Sequence, residues 1–150
     1  MERIKIVFNG CFDLFHAGHK YIIHRAMDII MPKDILIGLN SDQSVRKLKG
    51  GNRPVLHLGE RADAIQRCID EWTQINLLHV RTKIVPFDTE EELAKIIDDF
   101  EPSLIVKGND RPDVREIVGS TNWPVLIIPR ITNKEGNDIS TSEILRNGYK

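Results

Sequence analysis

Short apolar runs rich in β-branched residues alternate along this chain with segments of helical period, and that alternation restricts the fold more than any other feature. Ile4 to Phe8 is such a run, and it stops at the turn dipeptide Asn9-Gly10. From Ala17 to Met31, Tyr21, Ile22, Ala26, Ile29 and Ile30 recur at helical spacing, and Pro32 ends the pattern. Ile35 to Leu39 is a second apolar run, closed by Asn40-Ser41-Asp42. A strand, a helix and a strand in this order predict a parallel pair joined by a right-handed crossover. Residues 43 to 59 have no clear period, contain Gly50-Gly51, Pro54 and Gly59, and read as a loop.

The pattern continues to the end of the chain. Glu60 to Trp72 sets Ala62, Ile65, Cys68, Ile69 and Trp72 on one helical face, and Ile75 to Val85 holds one or two strand-like pieces. Glu90 to Phe100 carries Leu93, Ala94, Ile97 and Phe100 on a face behind three glutamates, which suit the positive end of a helix dipole. Leu104 to Val106 and Val125 to Ile128 read as further buried strands, and a short last helix is expected from near Ser140 to a stop at Gly148. The sum is an α/β domain with a mainly parallel sheet of about five strands and helices on both faces.

Composition narrows the function. The 150 residues suit one domain, and 41% apolar with 29% charged residues suits a soluble globular one. A net charge of -1, from 21 basic and 22 acidic residues, disfavours a polybasic nucleic-acid or membrane binder. The longest stretch without a charge is the 13 residues from Ile117 to Pro129, short of the roughly 20 needed to span a bilayer. The start has no apolar signal region, so a cytosolic, cytoplasmic protein is expected. Cys11 and Cys68 lack the spacing of a zinc site or a disulfide framework and are expected to be reduced thiols. The neutral total hides an uneven distribution: residues 43 to 59 hold four basic groups and no acid, whereas Asp88 to Glu101 holds seven acids against Lys95.

In parallel sheets ligands bind beyond the carboxyl ends of strands, where strand order reverses. That rule selects Asn9-Gly10, Asn40-Ser41-Asp42, Lys107-Gly108 and Arg130. The densest group is Asn9-Gly10-Cys11-Phe12-Asp13-Leu14-Phe15-His16-Ala17-Gly18-His19, which opens the first helix. His16 and His19 fall on one face of its first turn, where free backbone N–H groups and the dipole favour an anion. Gly18 permits close approach to the backbone. Neither a Walker loop nor a GxGxxG fingerprint is present, so a phosphate needs this other cradle.

Phe12 to His19 resembles the HxGH signature of the nucleotidyltransferase superfamily, in its cytidylyltransferase-like branch. Asn40-Ser41-Asp42, Arg46 to Gly50, Arg53-Pro54-Val55, Glu60-Arg61 and Val106-Lys107-Gly108 are similar to the adenylyltransferase domain of the bifunctional ADP-heptose synthases. Ile139-Ser140-Thr141-Ser142 resembles the superfamily's C-terminal ISTS element, and Pro129-Arg130 with Glu135-Gly136 resembles glycerol-3-phosphate cytidylyltransferase. One departure is Leu145, which stands where the superfamily often has a basic residue, with Arg146 one step later.

The resemblance implies a Rossmann-like nucleotidyltransferase fold and direct transfer: an acceptor phosphate oxygen attacks the α-phosphorus of an NTP, and pyrophosphate leaves. His16, His19, Lys47, Lys49 and Arg61 would act on the reacting phosphates. Asn9, Gly10, Phe12, Asp13, Gly18, Lys107, Gly108, Arg130, Ser140 and Thr141 would hold the nucleotide, and Asp42 and Arg53 the acceptor. Mg²⁺ would arrive with the NTP, and no protein metal site is expected. The substrates implied are ATP with a sugar phosphate such as heptose 1-phosphate, or else CTP with glycerol 3-phosphate or another polyol phosphate. The superfamily's habit implies a homo-oligomer, a dimer being the simplest. A regulatory nucleotide-binding module that has lost the chemistry, and a flavodoxin-like carrier, are alternatives of another class; the low aromatic content disfavours the carrier.

Overall fold

In the computed structural model, which describes residues 3–108 and 113–129, the apolar runs become the strands of one parallel sheet. Strands β1 (Lys5–Gly10), β2 (Asp34–Asn40), β3 (Arg81–Phe87), β4 (Leu104–Gly108) and β5 (Val125–Ile128) lie in the order β3-β2-β1-β4-β5. Helix α1 (Ala17–Ile30) links β1 to β2, α2 (Asp42–Lys49) and α3 (Leu58–Asn76) lead to β3, and α4 (Glu90–Phe100) crosses back to β4. A single 3₁₀ turn, Val114–Glu116, precedes β5.

Strand periodicity divides the core in two. Ile6, Phe8, Ile35 and Ile37 face α1 and α3, and pack with Ile23, Met27, Ile65, Ile69 and Trp72. Val7, Leu36 and Ile105 face the other way, toward Leu93 and Ile97 of α4. All seven residues of β2 are buried, as expected of a parallel strand covered on both faces. On the α4 side the packing is close at Gly38, where a Cβ would lie 2.7 Å from Cδ1 of Leu93 and 3.3 Å from Cβ of Asn9. Strand order reverses between β2-β1 and β4-β5, so the crevice expected at such a switch opens beyond Gly10 and Gly108.

Two expectations are corrected. Residues 43 to 59 are not all loop, since α2 occupies Asp42–Lys49. Its start is set by the Ser41 hydroxyl, which accepts the Ser44 N–H at 3.1 Å, and Asp42 with Arg46, Lys47 and Lys49 matches the dipole at both ends. Helix α3 extends past Ile75, which is 72% exposed and was expected in a strand, to Asn76, where Leu77 in the left-handed region ends it; of the one or two strand-like pieces expected there, one forms, as β3. The expected last helix lies outside the described residues, as do Arg130, Ser140, Thr141, Leu145 and Arg146. Among the described residues no helix is long and apolar enough to cross a membrane.

Candidate active site

A cavity of about 640 Å³ occupies the switch point. The ends of β1, β2 and β4 reach it through Asn9-Gly10, Asn40 and Lys107-Gly108, α1 through His19, and α2 through Lys47 and Lys49. Lys107 ties the two diverging strands together: its Nζ donates to the Asn9 backbone oxygen at 3.2 Å and to Asn9 Oδ1 at 2.9 Å.

Between β1 and α1 the chain turns sharply, with Phe12 at φ 48° and Leu14 at φ 43°. For residues with a Cβ this conformation costs about 1–2 kcal/mol each. The residue between them offsets the strain. Asp13 is 1% exposed, and its carboxylate accepts from Arg53 Nε at 2.8 Å, from the Val55 N–H at 2.9 Å and from the Leu56 N–H at 3.0 Å. Burial would raise its pKa, but these donors outweigh that and hold the carboxyl below its usual range. Asp13 and Arg53, expected at the nucleotide and the acceptor, therefore pair with each other in the cavity lining, and their buried ion pair braces the turn.

The two histidines open α1 together. His16 is the N-cap, its Nδ1 accepting the Gly18 N–H at 3.1 Å, while His19 Nδ1 accepts the His16 N–H at 3.3 Å. Their rings stack with centroids 3.7 Å apart, and His19 also lies edge-on to Phe12 at 5.2 Å. A nitrogen that accepts carries no proton, so in the neutral ring the proton sits on Nε2. The capping arrangement thus fixes both imidazoles as Nε2–H donors. Capping and anion binding are compatible uses of the same first turn.

Arg61, expected at the reacting phosphates, lies within the wall. It is 0% exposed, and its guanidinium donates to Leu56 O at 3.0 Å, Cys11 O at 2.7 Å, Asn40 O at 2.8 Å and Asp42 Oδ1 at 2.6 Å. It binds three segments of the cavity wall to each other rather than projecting into the cavity. Asp42, expected at the acceptor, is the carboxylate of this hub; burial would raise it, but the Arg61 hydrogen bond holds its pKa low. Lys47 and Lys49 are exposed on the last turn of α2 and do line the cavity. Burial pushes the Cys11 thiol up, as suits a filler and not a nucleophile.

Several lining residues escaped the sequence reading: Phe87 at the end of β3, Asp88 just after it, Glu90 and Leu93 on α4, and Val118. The signal was the carboxyl end of β3, obscured by the unclear boundary between α3 and that strand. Among the described residues no three His, Cys, Asp or Glu side chains converge on a possible metal position. His24, on the far side of α1, is hydrogen-bonded at 2.8 Å to Cys68 O.

Residues 7–147 match the sequence profile of the cytidylyltransferase-like family. The chain belongs to that family. By that membership it is a nucleotidyltransferase domain. The bifunctional protein HldE of Helicobacter pylori (strain P12) is 38% identical over 124 residues, which are 80% of this chain and 23% of that protein. HldE of Campylobacter curvus is 42% identical over 118 residues, 77% of this chain and 22% of the relative. The chain thus spans about a quarter of the length of these relatives.

Solved structures agree in fold. A bifunctional NMN adenylyltransferase/ADP ribose pyrophosphatase from Francisella tularensis superposes with a TM-score of 0.63 at 16% identity, over 97% of this chain and 42% of that one. The lipopolysaccharide core biosynthesis protein from Thermoplasma volcanium gives 0.59 at 18% identity, over 89% of this chain and 100% of that one. At such identities the likeness is one of fold alone.

Proposed function

We propose that this domain transfers AMP from ATP to the phosphate of a sugar phosphate such as heptose 1-phosphate, releasing pyrophosphate. The carrying observation is the stacked pair His16 and His19, both capped into the Nε2–H form at a helix N-terminus beside a crevice that Lys47, Lys49 and Lys107 also reach. Similarity to the HldE proteins supports ATP and a heptose phosphate. The cytidylyltransferase-like description of the family favours a second reading, CTP with glycerol 3-phosphate or another polyol phosphate.

The acceptor phosphate is already largely ionised near neutral pH, so no general base is required. What the protein supplies is position and charge. In this reading the α1 N-terminus and His19 meet the α-phosphate, His16 stacks against His19, and the lysines offset the charge that accumulates as pyrophosphate departs. On the same reading magnesium would enter as part of the Mg-NTP substrate and be held by its phosphates.

Pyrophosphate release measured with ATP or CTP, each against heptose 1-phosphate and glycerol 3-phosphate, tests the proposal. ATP with heptose 1-phosphate is expected to give the highest kcat/KM, and release with no pair would overturn the enzyme reading. His16→Ala is expected to reduce kcat by a factor of about 100 or more at saturating substrate. Unchanged turnover would remove that residue from the mechanism.

A further inference from the structure

The cavity is chemically two-sided. One side, formed by α1 and α2, presents His19, Lys47 and Lys49, whereas the side formed by the ends of β2 and β3 and the start of α4 presents Asn40, Asp88 and Glu90 above the apolar Phe87 and Leu93. A carboxylate only accepts hydrogen bonds, and it repels phosphate. Groups that suit such a wall are uncharged donors with an apolar backing, as in a hydroxylated carbon chain or ring.

Three further observations bear on this wall. Asp88 is exposed; one of its oxygens accepts the Ser41 hydroxyl, while its backbone N–H is held at 2.9 Å by Glu92, so the carboxylate is fixed at the rim. Asn40 is 7% exposed and is anchored through its Nδ2 to Ser44 Oγ at 3.2 Å. Asn9, on the face of β1 toward α4, gives its Oδ1 to Lys107, yet its Nδ2 is buried with no hydrogen-bond partner among the described residues. An orphaned amide donor is expensive in a folded protein, and at the wall of a binding cavity a ligand oxygen is the group that would satisfy it.

We infer that this α4-side wall is the specificity pocket for the acceptor, with Asp88, Asn9 and Asn40 reading its hydroxyl groups while its phosphate points to His19 and the lysines. The inference rests on the nucleotidyl-transfer reading above and adds to it which end of the acceptor lies where, and which side chains discriminate. Neighbouring hydroxyls match an Asp and two Asn amides, since each hydroxyl both donates and accepts. A short polyol fills less of the wall than a heptose does.

Calorimetric binding of heptose 1-phosphate, glycerol 3-phosphate, inorganic phosphate and ATP to the wild-type chain, Asp88→Asn and Asn9→Ala tests it. Asp88→Asn retains an acceptor for the Ser41 hydroxyl, and a thermal midpoint near that of the wild type verifies folding of each variant. Wild type is expected to bind heptose 1-phosphate more tightly than inorganic phosphate. Each variant is expected to weaken heptose 1-phosphate about tenfold, and in Asp88→Asn the binding of ATP and inorganic phosphate should change less than about twofold. The inference is overturned if heptose 1-phosphate binds no better than phosphate, if the variants leave its affinity unchanged, or if the loss falls on ATP. Pyrophosphate release by the wild type judges the catalytic reading separately, so that failure of one is distinguishable from failure of the other.

Discussion

Arg61→Met separates a scaffold role from a catalytic one, because the two predict opposite outcomes for stability. The guanidinium is wholly buried and satisfies the carbonyl oxygens of Leu56, Cys11 and Asn40, along with Asp42. Methionine has similar length and no donor. Each carbonyl left without a partner costs about 1–3 kcal/mol, and the methionine's apolar burial offsets part of the sum. The Asp42 side chain is 29% exposed and can recover solvent, so its loss weighs less. The net expectation is about 3–5 kcal/mol, in line with removing one partner of a buried pair. Against a total stability of roughly 5–15 kcal/mol this is a large fraction, and it should lower Tm by about 10 °C. Urea unfolding at neutral pH, with pyrophosphate release measured well below the new Tm, reads both effects. A Tm within about 2 °C of wild type with turnover abolished would refute the scaffold role and return Arg61 to the phosphates.

Other perturbations have equally definite outcomes. Asp13→Asn should destabilise by about 3 kcal/mol in denaturant titration, because an amide group turns a donor toward Arg53 and the Val55 and Leu56 N–H groups; a loss under about 1 kcal/mol would contradict the anchoring role. Asp34, hydrogen-bonded to Arg3 and Arg81, has its pKa held at about 2, below the ordinary 3.8. A depressed folded-state pKa contributes stability above pH about 4 that is lost as pH falls toward about 2. Because the Arg3 and Arg81 side chains are 50% and 65% exposed, about 1–2 kcal/mol is expected. Asp34→Asn should flatten that part of the stability profile, and an unchanged slope would exclude the triad. Gly38→Ala should destabilise by about 1–3 kcal/mol through the 2.7 Å approach to Leu93, and Leu93→Ala in the same chain should relieve the clash but not the cavity that it leaves. An undiminished Tm in Gly38→Ala alone would mean that the α4 packing yields freely.

The strands and α4 were legible because each shows its pattern locally: β-branched runs ending at turn residues, and an apolar face behind Thr89 and three glutamates. Helix α2 was not, since of its eight residues only Ser44 and Val45 are buried and two glycines follow it. Its signal was the cap at Ser41. At Arg61 the charge pointed to a ligand, yet position 61 continues the stripe of Ile65, Cys68, Ile69 and Trp72 by one helical turn, so its register already placed it inside. The Asp13–Arg53 pair spans forty residues, and no local spacing reveals such a partner. The histidine pair was readable for the opposite reason, because the groups that define its geometry lie within four residues of each other.

The turn at Phe12, Asp13 and Leu14 has a thermodynamic consequence for binding. Its two left-handed residues and its buried carboxylate fix the approach to α1 before any substrate arrives, so the ordering entropy is lost during folding and not at association. Phosphate binding at this end of the crevice should accordingly show a small entropic penalty and little movement of the histidine rings. Adjustment to different acceptors falls instead to the exposed lysines of α2 and to the β3–α4 junction, which lie outside that rigid turn.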